Sequence, residues 1–207
     1  MTSLDMRENA LFMRNEFNTV GKWQIPLVKK QEIATSDISL VAYSDTRAND
    51  NEENIKRGVH FFVDDYRFKG IYNNPDKSLA KLSQYAFLLT PDYSTYSDMN
   101  LWRQMESVAH SRWVGAYWQS KGLKVIPTVS WGDSRSYSFC FDGVEQNAVV
   151  AVGMIGCKGS KLAFMRGYNA MLEKLAPSCI ICFGKPFDDM DGNIVAVDYL
   201  SSRKVVR

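Results

Sequence analysis

Six short runs of apolar residues, continuous rather than alternating with polar ones, constrain the fold of this chain most. They lie at 38–43, 59–63, 86–90, 124–130, 148–152 and 179–183. A strand with one face in water alternates apolar and polar residues, whereas a strand covered on both faces does not, so these runs predict a mostly parallel sheet. Helical patterns stand between them, with apolar stripes at 75–84, 101–120 and 160–175. Gly122 and Pro177 act as stop signals after the last two. A further strand is expected at 194–199, after the turn Asp191-Gly192-Asn193.

Strand alternating with helix means repeated βα units with right-handed crossovers. A closed eight-stranded barrel takes about 250 residues, and this chain has 207. The expectation is therefore an α/β fold in a shortened or open TIM-barrel-like form, with a doubly wound open sheet as the alternative. Three segments are expected: an N-terminal helix and docking arm at 1–35, one α/β domain at 36–200, and a basic tail at 201–207. Pro26 breaks the extended stretch in the arm.

A domain of this size buries enough surface to stand without disulfides. Cys179 and Cys182 have C-x-x-C spacing, but inside a strand positions three apart point to opposite faces and share a metal poorly. With Cys140 and Cys157 they are expected to be reduced, buried thiols, which suits the cytoplasm. The first 17 residues carry charges and lack a signal-peptide core, and no run is long enough to span a bilayer. No membrane partner is expected. A net charge of +2 argues against a large nucleic-acid footprint.

Several segments occur in one linked order: Gly21-Lys-Trp-Gln-Ile-Pro26, Phe62-Val-Asp-Asp-Tyr-Arg-Phe68, Thr90-Pro-Asp-Tyr-Ser-Thr-Tyr96, Arg112-Trp-Val-Gly-Ala-Tyr-Trp-Gln119, Val125-Ile-Pro-Thr-Val-Ser-Trp131 and the late Gly184. Together they resemble a bacterial and phage family known as a domain of unknown function, number 4417. The resemblance implies a phage or mobile-element origin. It brings no catalytic residues to carry over.

In either architecture ligands bind beyond the carboxyl ends of the strands. Asp64 and Asp65 follow the second run, Asp92, Tyr93 and Ser94 the third, and Ser130, Trp131 and Asp133 the fourth. Gly156 and Lys158 follow the fifth, and Lys185 the sixth. Asp64, Asp65, Asp92 and Ser130 are the candidate catalytic groups; paired carboxylates there could split into acid and base or hold a divalent metal. Each aspartate could equally serve as a helix cap or turn. Tyr93, Trp131, Gly156, Lys158 and Lys185 are the candidate ligand-binding residues. The loop Gly156-Cys-Lys-Gly-Ser-Lys161 could cradle an anion, or simply start a helix with Ser160 as cap, and it is not a Walker A loop.

Arg103, Glu106 and His110 share one helix face, as a base with its orienter or as a salt-bridged surface. His60 reads as a hydrogen-bonded interior histidine. Two functions fit. One is an enzyme, or a sequestering protein derived from one, for a small anionic ligand such as a nucleotide or phosphorylated metabolite. The other is a non-enzymatic accessory protein that binds a host protein.

Overall fold

The continuous apolar runs form parallel strands, several of them shorter than or offset from their runs, as at Gly58–His60, which ends before Phe61. The computed structural model describes residues 2–202. In chain order they form α1 (Ser3–Glu8), α2 (Ala10–Met13), β1 (Thr19–Val20), β2 (Ile25–Pro26), β3 (Leu40–Ala42), α3 (Glu52–Ile55), β4 (Gly58–His60), α4 (Gly70–Asn73) and α5 (Asp76–Leu82). Then follow β5 (Phe87–Leu89), α6 (Leu101–Ser120), β6 (Val125–Ile126), β7 (Val149–Gly153), α7 (Lys161–Leu175), β8 (Cys179–Phe183), β9 (Ile194–Val197) and α8 (Tyr199–Ser202).

Seven of these strands are parallel to their neighbours, in two sheets ordered β3-β4-β5-β6 and β7-β8-β9. The ladder of β6 stops early because Pro127 has no N–H to donate. A single parallel bridge, Thr128 to Ala151, crosses from one sheet to the other. It consists of Val129 N–H on the Ala151 carbonyl at 2.8 Å and Ala151 N–H on the Pro127 carbonyl at 2.9 Å. At the far ends the chain comes back on itself: Arg57, just before β4, donates to the Ser201 carbonyl in α8 at 3.1 Å.

Side chains alternate faces along each strand, and the sorting follows that period. Leu40, Phe87, Leu89, Ile126, Val149, Ala151, Cys179, Ile181, Phe183 and Val197 pack into one interior shared by both sheets. Their neighbours Val41, Val59, Leu88 and Val125 face the opposite way, against Trp113, Val114 and Trp118 of α6. Val150, Val152, Ile180 and Cys182 likewise face Met165, Tyr168 and Met171 of α7. Gly58 supplies the shared interior with space instead of a side chain, since a Cβ there would sit 2.2 Å from the Phe87 ring.

α6 is bound to the junction of the sheets by polar contacts. Arg112 is 2% exposed and donates to the carbonyls of Thr128 at 2.7 Å and of Cys140 and Asp142 at 3.2 Å each. Beside it, Ser111 donates to the Thr90 hydroxyl at 3.0 Å, and that oxygen also accepts from Thr128 N–H at 2.9 Å. The side chains of Thr90 and Thr128 thereby extend the β5–β6 pairing past the proline.

Some boundaries differ from the sequence expectation. The single N-terminal helix is two, because Asn9 turns extended and its side chain accepts from Leu11 N–H at 2.9 Å. In the expected arm, β1 and β2 pair as a short antiparallel hairpin, and Ile25 and Val28 are buried. Ser160 precedes α7 without donating or accepting a side-chain cap, and a 3-10 turn at Cys157–Ser160 leads in. The basic tail lies outside the described residues from 203 onward. All four cysteines are free thiols, and Cys179 and Cys182 face opposite cores as strand geometry requires. Among the described residues, no helix is long and apolar enough to cross a membrane.

Arg112→Met should lower the unfolding free energy by about 3–5 kcal/mol, since it leaves two buried carbonyls and one part-buried carbonyl without their donor. Urea titration of the variant measures it, and a loss under about 1 kcal/mol would contradict the role given to this side chain.

Candidate functional site

Because the strands of each sheet run in one direction, the segments that leave their carboxyl ends share a rim. A cleft of about 1230 Å³ opens there. It is lined by Ser44 and Asp45 after β3, by Asp64, Asp65 and Tyr66 after β4, and by Asp92 to Ser97 after β5. Ser130, Trp131 and Asp133 after β6 and Gly156 and Cys157 after β7 complete most of the wall, with Tyr199 and Ser202 of α8. Thus Asp64, Asp65, Asp92, Tyr93, Ser130, Trp131 and Gly156 line one cavity.

Within it the aspartates are not equivalent. Asp64 is exposed at the lip, 3.9 Å from Arg67. Asp65 opens a 3-10 turn and points inward, accepting from Ser94 N–H at 3.1 Å and from the Ser94 hydroxyl at 3.0 Å. The segments after β4 and β5 are fastened together by this pair of bonds. Asp92 keeps some exposure as a residue while its carboxyl is enclosed. Burial, and secondarily the negative charge of Asp65, push that carboxyl up to about 7. A hydrogen bond from Ser130 and the positive charge of Arg112 pull the other way and are outweighed.

His60, the last residue of β4, also lines the cleft and is 2% exposed. Its Nδ1 accepts from Phe62 N–H at 3.2 Å, and its ring lies against Phe183 at 4.3 Å between centroids. Burial, reinforced by the charge of Arg57, lowers it to about 3, so it is neutral at physiological pH. Its Nε2 is buried and has no hydrogen-bond partner among the described residues. Tyr93 sits deep in the wall with its phenol raised by burial. Trp131 packs on Phe164 of α7 at 5.1 Å. Tyr66 and Tyr96 stand at the lips, 63% and 66% exposed.

Two of the expected ligand residues are elsewhere. Lys158 and Lys185 are exposed and do not line the cleft. Gly184, at φ +111°, turns the chain just before Lys185, and Lys158 falls on a 3-10 turn rather than on an open anion cradle. Lys161, the other cation of that loop, pairs with Asp189 at 2.8 Å. The cleft is lined instead by five aspartates (45, 64, 65, 92 and 133) and one arginine, Arg67. Asp133 is engaged by Arg135 at 2.7 Å. Among the described residues, no group of three or more His, Cys, Asp or Glu side chains is arranged to hold a metal ion.

The Arg103, Glu106 and His110 triple lies outside the cleft. It is a salt-bridged surface: Arg103 pairs with Glu106, and His110 stacks on Tyr72 at 3.5 Å. Sequence reasoning missed Asp45 and underweighted His60. The signal for Asp45 was the same one that found Asp92, a carboxylate just past an apolar run. For His60 it was the terminal position in its strand.

A family model described as a domain of unknown function, DUF4417, matches residues 17–200. The chain is 32% identical over 188 residues to the "Gene 1 protein" of Mycobacterium phage L5, covering 88% of this chain and 81% of that protein. It is 31% identical over 180 residues to the "Gene 1 protein" of Mycobacterium phage D29, covering 86% of this chain and 66% of the relative. No solved structure matches.

The enclosed carboxyl of Asp92 has a signature in stability. A carboxyl raised on folding binds more protons folded than unfolded between its unfolded value near 3.9 and its folded value near 7. Its contribution is therefore fully present below pH 4 and lost as pH rises towards 7 and above. Buried neutral His60 acts with the opposite slope, so the difference between two proteins isolates Asp92. Asp92→Asn should gain stability relative to the parent on going from pH 4 to pH 8, by a few kcal/mol as an order of magnitude. Parallel melting curves at the two pH values check this, and equal offsets at both would refute the shift.

Proposed function

The chain belongs to the DUF4417 family, and from that membership together with the rim cleft we propose that it is a phage enzyme that moves protons on a small polar ligand, with Asp92 as the acid–base group. The single observation that carries this reading is an enclosed carboxyl beside a second, hydrogen-bonded one. Asp92 is enclosed and pushed up to about 7, while Asp65 is held by two hydrogen bonds from Ser94. A group poised near neutral pH transfers protons most effectively.

In this reading Ser130 orients the Asp92 carboxyl, and Asp65 supplies the negative charge that a developing positive centre on the ligand would need. Tyr93 and Trp131 wall the ligand, Gly156 borders it and Asp64 closes the lip. The seven parallel strands act as a shortened TIM-barrel-like scaffold within one domain at about 36–200, which the interior shared by both sheets supports. The protein would work in the cytoplasm of an infected cell. An anionic ligand, the sequence-level expectation, would need a bridging cation here, because the lysines expected to receive it stand outside the cleft.

A second reading, a non-enzymatic binder of a host protein, is favoured by a separate apolar groove lined by Trp23, Ile25, Trp102, Met105 and Phe139, with Trp102 65% exposed.

Incubating the protein with a host small-molecule extract should deplete at least one metabolite, and Asp92→Asn should slow that by about 10²–10⁴-fold while melting as a folded protein. If no metabolite changes, and Trp102→Glu alone abolishes the effect of the protein on host cells, the binder reading takes its place.

A further inference from the structure

The cleft has an inventory of hydrogen-bonding groups that selects among ligand classes, and its least exposed member is the most selective. Phe62 N–H donates to Nδ1 of His60 at 3.2 Å, so the neutral ring carries its proton on Nε2. That nitrogen is buried and unpartnered among the described residues. The ring packs against Phe62 at 5.7 Å and Phe183 at 4.3 Å, two rings that also stack on each other at 4.9 Å. A buried donor left unmet is costly. His60 is part of the cleft wall, so a ligand that reaches this donor must bring an acceptor. Ammonium and guanidinium ions bring none.

The remaining groups impose the complementary condition. Carboxylates at 45, 64, 65, 92 and 133 line the same space, and the one cationic side chain on its wall, Arg67, lies 3.9 Å from Asp64. Those oxygens accept hydrogen bonds, so the ligand must also bring donors. A bare anion brings none and meets like charge. A hydroxyl group donates and accepts at once and carries no charge. Exposed aromatic faces at Tyr66 and Tyr96 suit the apolar faces of a ring, and the volume exceeds what one small molecule such as acetate would fill.

We propose that the rim cleft takes a neutral polyhydroxylated ring, a sugar either free or as part of a nucleoside, with the Nε2–H of His60 donating to one of its oxygens and Asp65 and Asp92 accepting from its hydroxyls. This rests on the reading of the cleft as the site. It adds the substrate class and gives His60 a ligand-binding role.

The test uses the full chain labelled with ¹⁵N and ¹³C. Long-range proton–nitrogen spectra report the His60 tautomer and its Nε2–H during titration with D-glucose, D-ribose, adenosine and uridine, and with putrescine, inorganic phosphate and AMP as contrasts. The expected result is a saturable shift of His60 Nε2–H with at least one sugar or nucleoside. The free-sugar and nucleoside arms tell the two sources apart. His60→Phe should weaken that binding about tenfold, as should Asp65→Asn, which keeps the interior intact if the first variant does not fold. The proposal is overturned if putrescine or phosphate alone shifts the resonance, if AMP binds more tightly than adenosine, or if nothing binds. Carboxyl ¹³C titration in the same sample separates the two failures. Asp92 titrating near 7 without sugar binding removes only the ligand class, whereas Asp92 titrating near 4 removes the site reading as well.

Discussion

The guanidinium of Arg112 is the contact on which the two halves of this fold depend. Among the described residues one β-bridge, between Thr128 and Ala151, pairs the two sheets, too little pairing to hold a junction alone. Arg112 comes from the middle of α6 and donates to the carbonyl of Thr128, at that bridge, and to those of Cys140 and Asp142 in the connection that leads to β7. A buried cation is expensive unless its donors are met, and here backbone oxygens meet them. Burial lowers the group only to about 10, so it stays charged at neutral pH. Its field reaches Asp92, which ties the junction to the cleft above it.

The same apolar interior shapes the chemistry of the cleft floor. Burial disfavours whichever form of a group is charged. It therefore raises Asp92 and lowers His60, two shifts in opposite directions with one cause. The floor is thus close to neutral, with donor and acceptor groups held in place. The lips carry exposed Asp64 with Tyr66 and Tyr96. A floor that is selective for hydrogen-bonding pattern lies under a charged mouth.

Much of the architecture was legible because burial on both faces writes a continuous apolar run, as in Cys179–Phe183, and the crossover helices write a 3.6-residue stripe. The rim was legible for the same reason: Asp64, Asp65, Asp92, Ser130 and Trp131 each follow such a run and line one cleft. Local reasoning failed where a single backbone group decides. Pro127 ends the β6 ladder, Asn9 divides the first helix, and Gly184 turns the chain ahead of Lys185. Lys158 and Lys185 obey the strand-end rule in sequence yet stand outside, because a rule about position along the chain says nothing about the direction in which the next residues leave.

By itself, then, the sequence determined that the apolar runs would be covered, mostly parallel strands, that helices would stand between them, and which edge would carry polar groups. These follow from local periodicity and from the need to remove apolar surface from water. The tertiary structure alone decided that Arg112 would close the junction, that Asp92 and not Asp64 would be enclosed, and that His60 would keep an unmet donor at the cleft floor. Each of these depends on which groups from distant parts of the chain share a low-dielectric neighbourhood, and no spacing along one chain specifies that.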